Sequence, residues 1–452
     1  MPPNFLGRLH TPSFTLYSPS HFALMFVQLH ALTPYPATLL NRDEAGFAKR
    51  LPFGGVTRTR VSSQCLKYHW RNFDGKDAIQ KIEAPETCRS QETFRREITK
   101  PLVENENYPA PLARAATVSL KEKVVSGGTA NKSDVKSAIT AETSREIHEA
   151  LHTDQVTVLG APEMRYLRSI AADLISDAKD KLHSFWEADG VPEDVDVGDA
   201  ADAIRNSISS RELKKNLKAV KRDELGLGLN AAMFGRMATS DILARGDAAV
   251  HVAHAFTTHA SEVEDDYFTA VDELRRDEPE ETGELGAAHI NSQELTSGLF
   301  YSYVVVDVPL LVSNITGAER EDWTEADRSL AAEVTRRLAL VMSTVSPGAK
   351  LGSTAPYSRA QFLFAETGTS QPRTLANAFQ AAVDTKGDVL INSYDALSDY
   401  LEDLNGMYGV QTERRLAAMR PTDRLLDAFH VKDTSSVPEL AEWTADQIEG
   451  GA

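Results

Sequence analysis

The sequence is poor in cysteine: Cys65 and Cys88 are the only two in 452 residues. Two cysteines cannot cross-link a secreted scaffold of this size and supply no paired-cysteine metal motif, so a reducing cytoplasm is the expected compartment. Long apolar runs are missing as well. None approaches the roughly 18 to 20 residues that span a bilayer, and the N-terminus lacks a charged stretch leading to a small-residue cleavage site, so no membrane partner is expected. Positive charge is in deficit, with 48 Lys and Arg against 66 Asp and Glu and a net charge of −18. That balance excludes nucleic-acid binding spread over the whole surface; a polyanion has to be met by a local basic patch. G-x-S-x-G, P-loop, dinucleotide and H-E-x-x-H signatures are all absent, so no catalytic constellation, cofactor or metal is expected.

What is present is enough apolar material, 42% of residues, to build two or three domains with a real core. Residues 1–24, rich in Pro, Ser and His, have no periodicity and read as a flexible extension or a misplaced start ahead of Met25. "MFVQLHAL" then alternates, with Val27, Leu29 and Ala31 on one face of a strand. Pro34 and Pro36 mark "TPYPATLLNRDEAG" as a loop. Ser62 is a helix N-cap for "SSQCLKYHWR". Residues 72–230 are polar and mostly helical in pattern, with Leu167, Ile170, Leu174 and Ile175 at helical spacing.

Beyond Phe234, "AAVHVAHAFTTH" suggests a helix and Glu262–Gly298 is acidic and weakly periodic. "GLFYSYVVVDV" (Gly298–Val308) is a strong strand and Glu325–Val345 an amphipathic helix. "QFLFAET" (Gln361–Thr367) reads as a strand and "TLANAFQAAVDTK" (Thr374–Lys386) as a helix. The alternation predicts an α+β fold whose core is split, part before residue 72 and the rest after 234, around a helical insertion.

One segment departs from the acidic background. Phe53–Arg71 holds Arg58, Arg60, Lys67 and Arg71 and no carboxylate, and Arg42 and Lys49 lie just upstream. Cations neutralise phosphates, the Gly54–Gly55 pair lets backbone N–H groups approach an anion, and Gln64, Lys67 and Arg71 share one helical face. Composition fits a polyanion site and a solvated charged face equally well. His251, His254 and His259 have no acidic or cysteine co-ligand at a familiar spacing and read as packing or capping histidines. Asp265 and Asp266 sit in an acidic stretch that reads as a solvated loop. By residue type alone, Met237 and Phe268 are core candidates.

Taken in order, "LLNRDEAGFAKRLPFGGVTRTRVSSQCLKYHWR", "GRMATSD", "AHAFTTH", "DDYFTAVDEL", "GAAHINSQELTSGLFYSY", "PGAK" and "LANAFQAAV" resemble the CasC backbone subunits of type I-E CRISPR Cascade complexes, members of the RAMP superfamily. The likeness runs from Met25 to about Gly409. It implies an RRM-like, ferredoxin-like palm (25–71, 231–261 and 301–452), helical fingers (72–230) and a thumb hairpin (262–300).

The resemblance also implies a non-catalytic subunit in the cytoplasm. Copies would assemble along a CRISPR guide RNA with other Cascade subunits and present the guide for pairing with target DNA. By this match Arg42, Lys49, Gln64, Lys67 and Arg71 face the RNA backbone, Arg58 and Arg60 belong to the same basic surface, and Met237 and Phe268 pack against a kinked guide. Val56 stands where the family has a basic residue, the thumb is longer, and residues 1–24 have no counterpart. The rival enzymatic expectation is a metal-dependent RNA-cleaving subunit of type III kind using Asp265 or Asp266; a pure protein scaffold is the third.

Overall fold

A computed structural model describes residues 24–450 apart from 189, 206–208, 224, 238–239, 244 and 272–286; the N-terminal extension lies outside the described residues. Its strands are β1 (Phe26–Thr38), β2 (Arg50–Phe53), β3 (Val56–Val61), β4 (Thr87–Ser90), β5 (Thr157–Gly160), β6 (Val250–Val252), β7 (Ala255–Thr257), β8 (Val263–Val271), β9 (Ala287–Asp307), β10 (Phe362–Gly368) and β11 (Glu413–Ala418). Among the described residues, the main sheet runs β11-β10-β1-β9-β7-β3-β2, with β6 and β8 also pairing to β9. Its paired strands are antiparallel.

Alternation along the central strands fills two cores. Val27, Leu29, Ala31, Phe300, Val304 and Val306 face one layer, which holds Leu66 and Trp70 of α1 (Ser63–Asn72), the helix Ser329–Thr344 and the helix Val437–Gly450. Leu32, Tyr301, Phe362 and Phe364 face the other, against the helices Val389–Tyr408 and Asp423–Phe429. A sheet covered on both faces needs apolar residues at successive positions, which is why "YVVVDV" reads as nearly continuous.

A third apolar core, from Phe94 to Leu243, belongs to a helical unit that includes the helices Ala110–Ser126 and Ala161–Asp177. Ile242 and Leu243 pack into it. The unit also carries an antiparallel ribbon, β4 against β5, which the helical pattern did not announce.

Three local expectations are corrected. β1 continues through Pro34 and Pro36. The prolines are tolerated because pairing to β10 stops at Leu32, so beyond it β1 has β9 as its neighbour on one side only. "AAVHVAHAFTTH" is not a helix: Val250 pairs with Val306, Val252 with Val304 and Phe256 with Tyr301, so tertiary pairing overrides the helical pattern. "TLANAFQAAVDTK" forms only a tight turn at Ala376–Phe379. The partners a helix would join are both taken: Arg58 Nη2 donates to the Phe379 carbonyl at 2.7 Å, and Val383 N donates to the Thr258 carbonyl at 3.0 Å.

Candidate nucleic-acid interface

The site is built on β2, β3 and α1. Gly54 and Gly55 form the two-residue turn of the β2–β3 hairpin, both with positive φ (64° and 80°), as a primed turn requires. Gly54 also lies against the Gln380 carbonyl, where a Cβ would overlap it. Ser62 Oγ accepts from Cys65 N at 3.3 Å and caps α1. Asn41 Oδ1 accepts from Ser62 N at 3.0 Å, and its carbonyl accepts from Lys49 N at 3.0 Å. The loop carrying Arg42 is thereby fastened to the start of the helix.

Leu66 and Trp70 are buried under α1, which turns Gln64, Lys67, Tyr68 and Arg71 away from the core. Gln64 and Tyr68 are exposed; Lys67 and Arg71 are half-buried. Arg71 Nε donates to the Lys67 carbonyl at 3.2 Å, and Lys67 Nζ lies 5.7 Å from the centre of the Phe234 ring. On the hairpin side, Arg60 Nε donates to the Arg50 carbonyl at 3.3 Å and its Nη1 meets His254 Nδ1 at 3.0 Å.

These groups feel one another. Partial burial first, then the charges of Arg71 and Arg89, hold the Lys67 ammonium below its usual range. Burial and Arg89 do the same for Arg71. His254 is lowered by burial and then by Arg60, Lys49 and Lys67. Among the described residues, no carboxylate forms an ion pair with Arg42, Lys49, Arg60, Lys67, Arg71 or Arg89, whereas neighbouring Arg50 is paired to Glu294. The result is a cationic cluster of Lys49, Arg60, Lys67, Arg71 and Arg89 in a chain of net charge −18, able to hold a polyanion.

Arg58 does not belong to it. The structure buries this side chain completely; Nε, Nη1 and Nη2 donate to the carbonyls of Phe53 (3.4 Å), Thr257 (3.0 Å) and Phe379 (2.7 Å). A guanidinium with no access to solvent and three carbonyl partners is a structural cross-link, so the expectation that Arg58 contacts RNA is corrected.

Met237 is 96% exposed, against the core role its residue type suggests. It follows Arg236, which is buried with Glu163 at the edge of the helical unit. Phe268 is on β8 opposite Asn291; its side chain lies outside the described residues. On the same hairpin, Asp266 Oδ2 accepts from Gln293 Nε2 at 3.3 Å. Among the described residues, no three His, Cys, Asp or Glu side chains are grouped to hold a metal. His251 is exposed and contacts the Ala248 carbonyl, while buried His259 accepts from Leu299 N. Among the described residues, no helix is long and apolar enough to cross a membrane.

Sequence reading missed Arg89 and His254 as parts of the cationic surface. Arg89 is on β4 and His254 between β6 and β7; only the folding of distant segments onto α1 and the hairpin brings them there.

A chain of a solved structure described as "CRISPR RNA-guided surveillance complex, pre-nicking" is similar to this one over 94% of its length and 100% of that chain, at 26% identity and a TM-score of 0.68. A chain of a second, described as "CRISPR RNA-guided surveillance complex", covers 93% of this chain and 99% of its own, at 22% identity and a TM-score of 0.58, and shares the fold. No curated protein matches the chain. Residues 27–443 match the family described as CT1975-like protein. The chain belongs to the CT1975-like protein family.

Proposed function

We propose that the chain is a guide-RNA-binding backbone subunit of a Cascade-type CRISPR surveillance complex, of type I-E, with no catalytic step of its own. The observation that carries this reading is the cationic surface of Lys49, Arg60, Lys67 and Arg71, without ion pairs among the described residues. The similarity to a surveillance-complex chain over 94% of the sequence supports it.

In this reading the palm is the sheet β10-β1-β9-β7 with α1 and the helix Ser329–Thr344, a β-α-β-β-α-β path of RRM-like kind. The helical unit forms the fingers and the β8–β9 hairpin the thumb. Copies follow one another along the RNA, held through its phosphates and shape, while base pairing between guide and target DNA supplies the sequence specificity.

Expression with its operon neighbours and a CRISPR array tests this directly. The expected product is a multi-subunit particle containing one discrete RNA and several copies of this chain. Recovery of the chain free of RNA, with an absorbance ratio at 260 and 280 nm typical of protein alone, would overturn it.

A further inference from the structure

Between α1 and the β4–β5 ribbon lies a cavity of about 330 Å³, lined by Tyr68 and Arg71 on one side and by Thr87 and Arg89 on the other. It joins two parts of the chain that have separate apolar cores. Arg89 is exposed on β4, and after partial burial its charge is among the causes that lower the pKa of both Lys67 and Arg71. Arg71 and Arg89 therefore face one cavity from two units, with Lys67 one turn before Arg71 on α1, and among the described residues none of the three is ion-paired.

Like charges gathered beside a cavity repel one another, and folding gains nothing from bringing them together. An anion between them reverses the sign of the arrangement. Guanidinium groups suit phosphate because their planar fork donates two parallel hydrogen bonds. Tyr68 is 57% exposed on the same wall, offering an aromatic face on which an unpaired base can stack. Glu86 also lines the cavity.

We infer that this cavity is a phosphodiester subsite for single-stranded RNA in which Arg89, from the helical unit, and Arg71, from α1, hold the same backbone phosphate while Tyr68 stacks on an adjacent base. The inference rests on the guide-RNA reading and extends it. The RNA track crosses from the sheet onto the inserted unit, and the bound strand ties the two together.

The test uses the full chain and a fluorescent single-stranded RNA in anisotropy titrations at several salt concentrations. Arg89→Gln is expected to weaken binding about fivefold to tenfold and to reduce the slope of log K against log salt by about 0.7, the share of one phosphate on a single strand. Arg89→Lys should restore the slope, and Tyr68→Ala should weaken binding without changing it. Arg145→Gln, which removes an exposed charge already paired to Glu149, serves as the control. Wild-type binding with an unaltered slope in Arg89→Gln would overturn the subsite and leave the guide-RNA reading standing. Absence of binding by the wild-type chain, alone and in the co-expressed particle, would overturn both. Because Arg89 is exposed, unchanged thermal unfolding of the variant separates lost binding from lost fold.

Discussion

The Arg236 guanidinium and the Glu163 carboxylate form a two-toothed ion pair, with Nη1–Oε2 at 2.5 Å and Nη2–Oε1 at 2.9 Å, in which both side chains are almost wholly inaccessible to solvent. Glu163 Oε2 also accepts from Gly160 N at 3.1 Å, and Arg236 Nη1 donates to the Val158 carbonyl at 3.2 Å. The residue after Arg236 is Met237, 96% exposed. A buried pair therefore fixes the chain at the point from which an apolar side chain projects into solvent.

Removing one partner leaves the other charge buried and uncompensated, a loss of about 3 to 5 kcal/mol. Glu163→Ala is expected to lower the urea midpoint accordingly. Met237→Ala should change the unfolding free energy by less than about 0.5 kcal/mol, as for an exposed site. A Glu163→Ala midpoint equal to wild type would show that the pair does not anchor this segment.

Arg58 and Arg60 are two residues apart in the same strand but should fail differently. Arg58→Ala strands three carbonyls, two of them in buried bonds, at about 1 to 3 kcal/mol for each buried group left unpaired. Its salt slope for RNA binding should stay as in wild type. Arg60→Ala should leave stability within about 0.5 kcal/mol and flatten the slope by about 0.7. Reversed behaviour in paired unfolding and anisotropy measurements would contradict the assignment of these two arginines.

Lys67→Ala with Arg71→Ala removes two cations from one face of α1. Weaker RNA binding is expected, with the salt slope reduced by about 1.4, twice the single-strand value per phosphate. An unchanged slope in filter binding would sink the assignment of α1 to the RNA backbone.

His30 gives the fold an acid sensitivity. It is fully buried, stacked on Tyr303 at 4.7 Å, and Nδ1 lies 2.9 Å from Tyr301 Oη. Burial, followed by the charges of Arg373 and Arg414, lowers its pKa well below 6.5. The unfolded chain then binds a proton that the folded chain refuses, so stability falls as pH drops below about 6.5 and is recovered above it. The slope from this one group reaches about 1.4 kcal/mol per pH unit. Urea unfolding of wild type and His30→Phe at neutral and mildly acidic pH should show that much less acid loss in the variant. Equal pH slopes would mean that His30 does not refuse the proton.

Local sequence was sufficient where a short-range physical rule decides. Alternation placed Val27, Leu29 and Ala31 on a core face, Ser62 declared the start of α1, and charge pattern singled out the basic surface against an acidic background. Residue type alone made Met237 a core candidate, and the structure leaves it 96% exposed. Partners far apart in the chain decided what no window could show. Val304 and Val306 on β9 turned a helical pattern into β6, and Arg58 and Thr258 took the backbone groups that a helix near Phe379 would have used. The sheet buried Arg58, while Arg60, two residues on in the same strand, stayed partly exposed. Folding of the helical unit against α1 then carried Arg89 into the same cationic field. Composition and period fix which residues want water, core or a cap. The company a charged side chain keeps depends on distant segments meeting, and so on tertiary structure alone.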